Sequence, residues 1–330
     1  MKKAELFVGI DVSNKTLDVC KLSSTREFLK ITNSQKSIAK FIKDLERRHT
    51  PSTIFLCLEN TGKYSWRLVQ ALATSEINTY VVNPLHLKRS LGLIRGKNDK
   101  VDAVRIAQFI KKNHEELVPY VPEREEITNI KILLAERRYK VKTRRQLKAK
   151  NKDLKQVPNQ TMVKKLINEN NQLIKQYDKQ IKRIETEIRA VINADQSLKQ
   201  MAKLLKSVPG LGDIIAWNII VKTNEFKTIK DPRKLACYCG VAPFQNRSGT
   251  SIFGKTRVSL LADKKLKKIL HLGAMRAVRM NNDFKVYYER KVKEGKNKML
   301  VLNAVRNKMI HVAYALINKQ EFYQNRLVLS

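Results

Sequence analysis

Residues 7–13, Phe-Val-Gly-Ile-Asp-Val-Ser, restrict the fold of this chain more than any other stretch. They predict a short apolar strand that carries a carboxylate, Asp11, close to its end. A second apolar strand is predicted at residues 54–58 and is closed by Glu59. Side chains alternate between the two faces of a strand, so each acid shares a face with every second residue before it. Both acids are therefore expected at the rim of a sheet.

Two further acids, Asp99 and Asp102, stand three residues apart at the start of a predicted helix, and so share one helical face. Four carboxylates that converge on one point repel one another unless a cation neutralises them. Carboxylates without matching His or Cys favour Mg²⁺ or Mn²⁺, and two such ions about 4 Å apart suit phosphodiester displacement. Taken singly, each acid fits a turn, a solvated strand end or a helix N-terminus. Taken as a set, they favour a metal-dependent nucleic-acid enzyme.

The charge of the chain indicates a polyanionic partner. Its 330 residues include 67 Lys and Arg against 30 Asp and Glu, a net charge of +37, and 42% are hydrophobic. This surplus in a chain able to bury a core indicates a folded nucleic-acid-binding protein. The N-terminus lacks a signal-peptide core and no apolar run is long enough to span a bilayer, so we expect a cytoplasmic protein with no membrane partner. The length suits two or three domains.

The cysteines give no metal or disulfide pattern. Cys20, Cys57, Cys237 and Cys239 form neither a disulfide framework nor a paired zinc motif. The first two fall in predicted strands and are assigned to the core. The last two have no metal-binding partners nearby in the sequence and are also given a structural role.

The N-terminal region predicts a mixed α/β domain. Three strands form an antiparallel meander, followed in order by a helix, a strand, a helix and a strand. The elements are predicted at residues 6–12, 16–22, 27–32, 37–48, 54–58, 64–73 and 79–82. This is the order of a ribonuclease-H-like sheet, in which the ends of the first and fourth strands are neighbours.

Residues 127–200 are almost free of Gly and Pro and predict a long helical hairpin broken near residues 157–159. A charge run is usually a solvated face, but the ten bases of the first arm would repel one another without a polyanion nearby. This arm is therefore a candidate for nucleic-acid binding. An apolar seam at heptad spacing on the second arm is a candidate for dimerisation. The seam consists of Ile167, Ile174, Ile181 and Ile188.

Residues 204–216 predict a short helix, a tight Pro-Gly-Leu-Gly turn and an apolar helix. The pattern matches a helix-hairpin-helix, whose turn offers backbone N–H groups to a phosphate. Gly210 and Gly212 are therefore candidate nucleic-acid contacts. A glycine turn between two core helices would give the same pattern.

Two serines, Ser248 and Ser251, lie in a glycine-containing segment flanked by Arg247, Lys255 and Arg257. Serine beside glycine usually marks no more than a turn. Here the three bases could stabilise both a serine alkoxide and a phosphate transition state, and they are candidate nucleic-acid contacts. The sequence does not separate the two serines as nucleophile.

The rest of the C-terminal region predicts amphipathic helices at residues 264–280 and 298–317. Their histidines, His271 and His311, lie among apolar neighbours in the sequence. Both are expected to be packed rather than catalytic.

Five motifs in this order closely resemble the DEDD transposases, the insertion-sequence recombinases that use a bridging guide RNA and are related to the pilin-gene invertases. The resemblance covers essentially the whole chain, and the acid motifs are specific as a set. The motifs are GIDVS at 9–13, LENTG at 58–62, KNDKVDA at 97–103, VPGLG at 208–212 and RSGTS at 247–251.

The resemblance implies a RuvC-like, RNase H-like catalytic domain at residues 1–122, a coiled-coil linker at 123–200 and a mainly α-helical transposase domain with a helix-hairpin-helix at 201–330. It implies that a serine, placed at Ser248, attacks the scissile phosphate and forms a phosphoserine link. It also implies a homo-oligomer, a dimer or tetramer, with a guide RNA as well as DNA, in a bacterial, nucleoid-associated setting. Mg²⁺ or Mn²⁺ would be held by Asp11, Glu59, Asp99 and Asp102.

The leading hypothesis is therefore a DNA transposase or site-specific recombinase with metal-assisted serine chemistry. One alternative is a RuvC-like junction nuclease in which water attacks and Ser248 is only a turn residue. Another is a non-catalytic nucleic-acid-binding protein in which charge alone matters.

Overall fold

A computed structural model of the chain describes residues 5–60, 62–90, 98–158, 160–248 and 252–325. The chain divides into two compact units, residues 1–122 and residues 123–330. The first is mixed α/β, and the second is mostly helical. The expected division into three domains stays a prediction. Among the described residues, no helix combines the length and the apolar character that crossing a membrane requires.

The first unit is built on a five-stranded sheet in the order β3-β2-β1-β4-β5. Strand β1 pairs antiparallel with β2 and parallel with β4, so β1 and β4 end at the same edge. The strands are β1 (Leu6–Val12), β2 (Thr16–Leu22), β3 (Arg26–Thr32), β4 (Ile54–Glu59) and β5 (Asn78–Val82), and the helices are α1 (Gln35–Arg48), α2 (Trp66–Leu72), α3 (Pro84–Ser90) and α4 (Asp99–Asn113). The predicted meander and the strands that follow it are confirmed.

Different helices cover the two faces of this sheet. On one face, Val8 and Ile10 of β1 belong to a core that includes Ile38 of α1 and Leu68 of α2. The alternate residues face α4, where Phe7 of β1 and Cys57 of β4 pack with Ile106. The alternation read from the sequence therefore puts Asp11 and Glu59 on the α4 face.

The second unit begins with the predicted helical hairpin, formed by α5 (Glu125–Leu154) and α6 (Gln160–Ala194). The two helices run antiparallel, because residues nearer the N-terminus of α5 contact residues nearer the C-terminus of α6. Asn151 donates to Asn171 at 3.0 Å, Arg144 pairs with Asp178, and Arg137 pairs with Glu185 at 2.7 Å. Whether the pair has coiled-coil geometry stays a prediction.

The apolar seam of α6 lies inside the chain. Ile174, Ile181 and Ile188 are each less than a tenth exposed, Ile167 is half-buried, and Ile188 shares a core with Ile127 and Ile130 of α5. The seam is therefore not exposed for a second chain, which corrects the expectation that it is the dimerisation surface. The heptad pattern reflects packing within one hairpin, a contact that has the same spacing as one between chains.

The rest of the second unit is a helical body with one β-hairpin. Trp217, one of the largest buried side chains of its core, is only 2% exposed. The elements are α7 (Gln196–Ser207), α8 (Asp213–Thr223), α9 (Pro232–Tyr238), β6 (Pro243–Ser248), β7 (Ile252–Val258), α10 (Lys264–Ala277), α11 (Asp283–Lys293) and α12 (Lys298–Lys319). The two predicted C-terminal helices are confirmed as α10 and α12, whereas α11 was not predicted from the sequence.

Arg124, just before α5, ties the helical hairpin to this body. Its guanidinium donates to Glu225 at 2.5 and 3.1 Å and to Asp195 at 2.7 Å. Burial opposes ionisation of Glu225, but the hydrogen bonds from Arg124 and Lys227 prevail and lower its pKa. Hydrogen bonding to Arg124 also lowers the pKa of Asp195. This cluster stabilises the second unit above the pH at which its acids protonate.

Candidate active site and nucleic-acid interface

The parallel pairing of β1 and β4 brings the first two candidate acids side by side. Ile10 is opposite Leu58, so the next residues along the two strands, Asp11 and Glu59, are neighbours at the carboxyl edge of the sheet. Both face α4. The edge beyond the carboxyl ends of parallel strands is where sites commonly form in α/β proteins.

Helix α4 carries the other two acids in its first turn and lies directly on β1. Contact is closest at Gly9, where an added Cβ would lie 2.2 Å from the backbone N of Ala107 and 2.3 Å from the backbone O of Ala103. No side chain fits there, so glycine allows the helix to settle on the strand. This close approach puts Asp99 and Asp102 beside the strand that bears Asp11.

The charges of the other three acids act on Asp11. Burial raises its pKa, and the negative charges of Asp99, Asp102 and Glu59 raise it further, from 3.8 to about 6. Like charges held together in a half-buried site disfavour ionisation in this way. The structure thus brings all four acids to the same region of the first unit.

A fifth carboxylate, Asp18, belongs to this region and was missed by the sequence analysis. It lies on β2 directly opposite Asp11, is only 5% exposed, and pairs with Lys30 at 3.4 Å. Its charge also raises the pKa of Asp11. The predicted three-residue turn at residues 13–15 would pair Asp11 with Leu17, whereas the observed register pairs Asp11 with Asp18 across a four-residue loop, residues 13–16.

The donor set suits a hard divalent cation, since it consists of carboxylate oxygens. Arg105, one turn along α4, binds Asp102 at 2.8 Å and so holds one of these carboxylates by an opposite charge. Within the described parts of the chain, no three acidic, histidine or cysteine side chains lie close enough together to hold a metal ion. The acids are therefore adjacent without forming a closed coordination shell, and a bound ion would have to draw them together.

The candidate nucleophile lies in the second unit, on the β6–β7 hairpin. Ser248 is the last residue of β6 and pairs with Ile252, so it adjoins the tip of the hairpin. The Ser248 side chain lies outside the described part of the structure, as do Ser251, Gly249 and Thr250. The side chains of Arg247 and Arg257 are exposed on the same hairpin, and the Lys255 backbone lies in β7.

The two glycines of the α7–α8 turn differ in their surroundings. Gly210 has φ +87°, and an added Cβ would lie 2.3 Å from the backbone O of Gly273 in α10. Close packing of the turn on α10 accounts for this glycine. Gly212, the N-cap of α8, has nothing within 4 Å of an added Cβ. Only Gly212 leaves open space beside its backbone, so it is the better candidate for a phosphate contact.

An acid already occupies the N-terminus of α8. Asp213 pairs with Lys206 at 2.6 Å and with Arg189 at 3.0 Å. Burial acts against ionisation of Asp213, but these two cations outweigh it and lower its pKa. A phosphate at this helix end would therefore meet a neutralised carboxylate rather than a bare positive dipole.

A groove of about 970 Å³ runs between α5, the α7–α8 turn and α10. Its lining includes apolar side chains such as Leu134, Ile215 and Leu272, and it contains both Gly210 and Gly212. Two of the lining bases are in the ion pairs already described, Arg137 with Glu185 and Lys206 with Asp213. The lining bases are Arg137, Arg138, Lys142, Arg145, Lys206, Lys265, Lys268 and Arg276. A basic groove of this kind attracts polyanions.

Comparison with known families gives two matches on this chain. Residues 8–162 match the DEDD model of IS110 elements, described as "Transposase", and residues 202–289 match "Transposase IS116/IS110/IS902 family". The first match contains all four candidate acids, and the second contains the α7–α8 turn and the β6–β7 hairpin.

Individual relatives agree with the family matches. The "Pilin gene-inverting protein" of Moraxella bovis is 26% identical over 98% of this chain and 99% of that protein, and its namesake in Moraxella lacunata matches over the same shares. The "Insertion element IS110 uncharacterized 43.6 kDa protein" of Streptomyces coelicolor is 28% identical over 42% of this chain and 34% of that protein.

Proposed function

Because this chain belongs to the DEDD transposase family of IS110-type insertion elements, whose members act on DNA as transposases or recombinases, we propose that it cleaves and rejoins DNA through a serine nucleophile assisted by divalent metal. The observation that carries the proposal is that Asp11, Glu59, Asp99 and Asp102 lie in one region on the α4 side of the sheet, where burial and then the charges of the other three acids raise the pKa of Asp11 to about 6. Mutual repulsion of this kind is relieved by a cation.

In this proposal the four acids hold Mg²⁺ or Mn²⁺, and the ion, when bound, lowers the barrier by neutralising charge on the phosphate oxygens. The acids themselves would hold and orient the ion. Arg105 keeps Asp102 in place through their ion pair. The strand order of the sheet supports a RuvC-like, RNase H-like assignment for this unit.

Ser248 supplies the nucleophile. Its Oγ forms a bond to phosphorus as the bond from phosphorus to the leaving deoxyribose oxygen breaks, and the serine proton ends on that oxygen. One phosphodiester thus replaces another, so the DNA ends can be rejoined by attack of a deoxyribose hydroxyl on the phosphoserine. Arg247, Lys255 and Arg257 on the same hairpin offset charge on the reacting phosphate. Ser251 is the alternative nucleophile.

The acids and the serine lie in different units, so the reaction requires the two units to meet, within one chain or between chains. The family resemblance favours meeting between chains in a dimer or tetramer. We place the main nucleic-acid contacts at the β6–β7 hairpin and in the basic groove beside Gly210 and Gly212. The bases of α5 suit an RNA as well as a DNA backbone, which accords with a guide RNA partner.

Trapping a covalent intermediate tests the serine step. Full-length protein is incubated with Mg²⁺ and DNA that carries the ends of the element, then denatured and separated by electrophoresis. We expect a protein–DNA adduct that is lost in Ser248→Ala and kept in Ser251→Ala. Ser259→Ala is the matched control, because Ser259 lies just beyond β7 and its hydroxyl accepts a hydrogen bond from the Leu261 amide. Clean cleavage without an adduct would instead support the junction nuclease.

Substitution of one acid tests the metal role separately. Asp102→Asn should abolish cleavage while DNA affinity changes little, because in the proposal the acid touches metal and no base. Mn²⁺ binding, followed by electron paramagnetic resonance, should weaken in the same variant. Equal losses of binding and cleavage would contradict the assignment and favour a protein in which charge alone matters.

A further inference from the structure

Arg306 is a buried cation in the middle of α12. It is only 7% exposed, and its neighbours along the buried face of the helix, including Leu302, Val305 and Ile310, are apolar. Its Nε is buried without a hydrogen-bond partner among the described residues. A buried, unpaired charge costs considerable folding free energy, so its presence calls for a compensating ligand.

Two more basic side chains lie beside Arg306. Lys267 and His271 are one turn apart on α10, which packs against α12. After burial, the second cause that lowers the pKa of each is the positive charge of Arg306. The Nδ1 of His271 and the Oδ1 of Asn307 are also buried without a partner in the described structure. None of the ion pairs between described residues involves Lys267, His271 or Arg306, so no described acid neutralises the cluster.

This cluster lies at the foot of the β6–β7 hairpin. Asn303, one turn before Arg306, donates to the backbone O of Val241 at 2.8 Å, two residues before β6 begins. An added Cβ on Gly240 would lie 3.3 Å from the Ser259 backbone O, just after β7, and 3.7 Å from the Cδ of Lys267. Both ends of the hairpin therefore reach the helices that carry the cluster.

The cluster is separate from the basic groove. On α10 the groove is lined by Lys265, Lys268, Leu272 and Arg276, which lie on the other side of the helix from Lys267 and His271 at 100° per residue. Binding of a polyanion in the groove would therefore not neutralise Lys267, His271 or Arg306.

We propose that Arg306, Lys267 and His271 form a pocket for one backbone phosphate of the DNA held by the β6–β7 hairpin. A phosphate would supply both the missing negative charge and acceptor oxygens for the unpartnered Arg306 Nε and, in its Nδ1-protonated form, for His271. The proposal rests on the proposed function only in naming DNA as the source of the phosphate. Arg306 is a positioning residue here, because it fixes the DNA backbone beside the hairpin that carries Ser248.

The alternative is a structural role in which water bridges Arg306 to backbone groups. The two roles predict opposite effects of Arg306→Met on the ligand-free protein. If Arg306 binds a phosphate, its unpaired charge destabilises the ligand-free protein. Its replacement by an apolar side chain of similar length should then raise the Tm. A structural arginine, once replaced, should lower the Tm instead.

Thermal unfolding of the full chain in inorganic phosphate, against chloride at equal ionic strength, tests the pocket directly. We expect phosphate to raise the Tm of the wild-type protein and of Lys308→Met by the same amount, and to raise that of Arg306→Met by clearly less. Lys308 is the matched control, because it lies on α12 but is exposed and over the Tyr287 ring, at 4.6 Å. Equal phosphate shifts in all three proteins would overturn the proposal. If Arg306→Met does not fold, the half-buried Lys267→Met decides by the same comparison.

The salt dependence of binding to a short DNA duplex tests the source of the phosphate. Loss of one backbone contact should reduce the slope of log affinity against log salt by about one in Arg306→Met and leave it unchanged in Lys308→Met. Arg306→Met could lose the phosphate shift of the Tm and still bind DNA with the wild-type salt slope. That result would show that the pocket binds free phosphate, and would overturn the assignment to DNA. Neither measurement requires strand cleavage, so failure of the serine mechanism would remain distinguishable.

Discussion

Gly9 of β1 lies directly beneath Ala107 of α4, so that a methyl group on Gly9 would lie 2.2 Å from the Ala107 backbone N. The contact is between backbones, which cannot move aside as a flexible side chain could. It sets the distance between Asp11 and the helix that carries Asp99 and Asp102.

Gly9→Ala should therefore displace α4 and cost about 2–4 kcal/mol of unfolding free energy, at or above the usual range for overpacking. DNA cleavage should fall further than stability alone explains, because the acids separate. The control is Gly212→Ala, where open space surrounds the added Cβ and the change should stay below about 1 kcal/mol. Urea unfolding measures both variants, and equal costs would contradict the close-packing argument.

The raised pKa of Asp11 predicts a pH-dependent cost in protein without metal. Ionisation is disfavoured in the folded state, so stability falls as pH rises from 3.8 through about 6. Asp11→Asn removes this cost and should be more stable than wild type at pH 7.5 in chelator, by about 1–2 kcal/mol after solvent screening. The gain should vanish below about pH 3, where the carboxyl is neutral in both states.

Added Mg²⁺ should make the wild-type protein more stable than Asp11→Asn at pH 7.5, because the ion would stabilise the wild type and leave the variant unchanged. Asp44→Asn serves as control, since Asp44 pairs with Arg47 at 3.0 Å on the surface of α1, away from the candidate site. Its Mg²⁺ response should equal that of the wild type. A lower stability of Asp11→Asn in chelator at pH 7.5 would contradict crowding of the acids.

Arg124→Met should destabilise the second unit by about 2–4 kcal/mol, because it leaves the nearly buried Glu225 with Lys227 alone. The pKa values of Glu225 and Asp195 are lowered in the folded state, so their contribution is present above their unfolded values of 4.5 and 3.8 and is lost as pH falls through the folded values. The variant should thus differ from wild type at pH 7 and approach it near pH 3. Arg183→Met, which breaks an exposed pair with Glu187, should cost less than about 0.5 kcal/mol.

Charge reversal in the basic groove should weaken DNA binding. Arg138→Glu with Arg145→Glu should reduce affinity and lower the salt slope by up to about 2, because two phosphate contacts are lost. Lys164→Glu with Lys165→Glu makes the same charge change on α6, outside the groove lining, and should alter the slope less. Fluorescence anisotropy of labelled DNA over a salt series measures the slope for both double variants. Equal slopes in the two variants would show that only the net charge of the protein matters.

Local patterns were enough to predict most of the first unit. Alternation predicted which face of each strand carries Asp11 and Glu59, and helical spacing placed Asp99 and Asp102 together, because these relationships depend on backbone periods of 2 and 3.6 residues. The same patterns could not tell whether the α6 seam packs within a chain or between chains, since both contacts use heptad spacing. Asp18 was not predicted, because the hairpin loop is one residue longer than the predicted turn and so shifts the register by one residue.

The sequence by itself determined the order of the strands, the helical hairpin and the excess of positive charge, since each follows from residues close together along the chain. Tertiary packing alone decided that Gly9 brings α4 onto β1, that Gly210 packs against Gly273, and that Arg306 is buried beside Lys267 with no ion-pair partner among the residues that the structure describes. These contacts join residues from about 40 to about 100 positions apart. Their burial and partners depend on how whole elements pack, which no local pattern encodes.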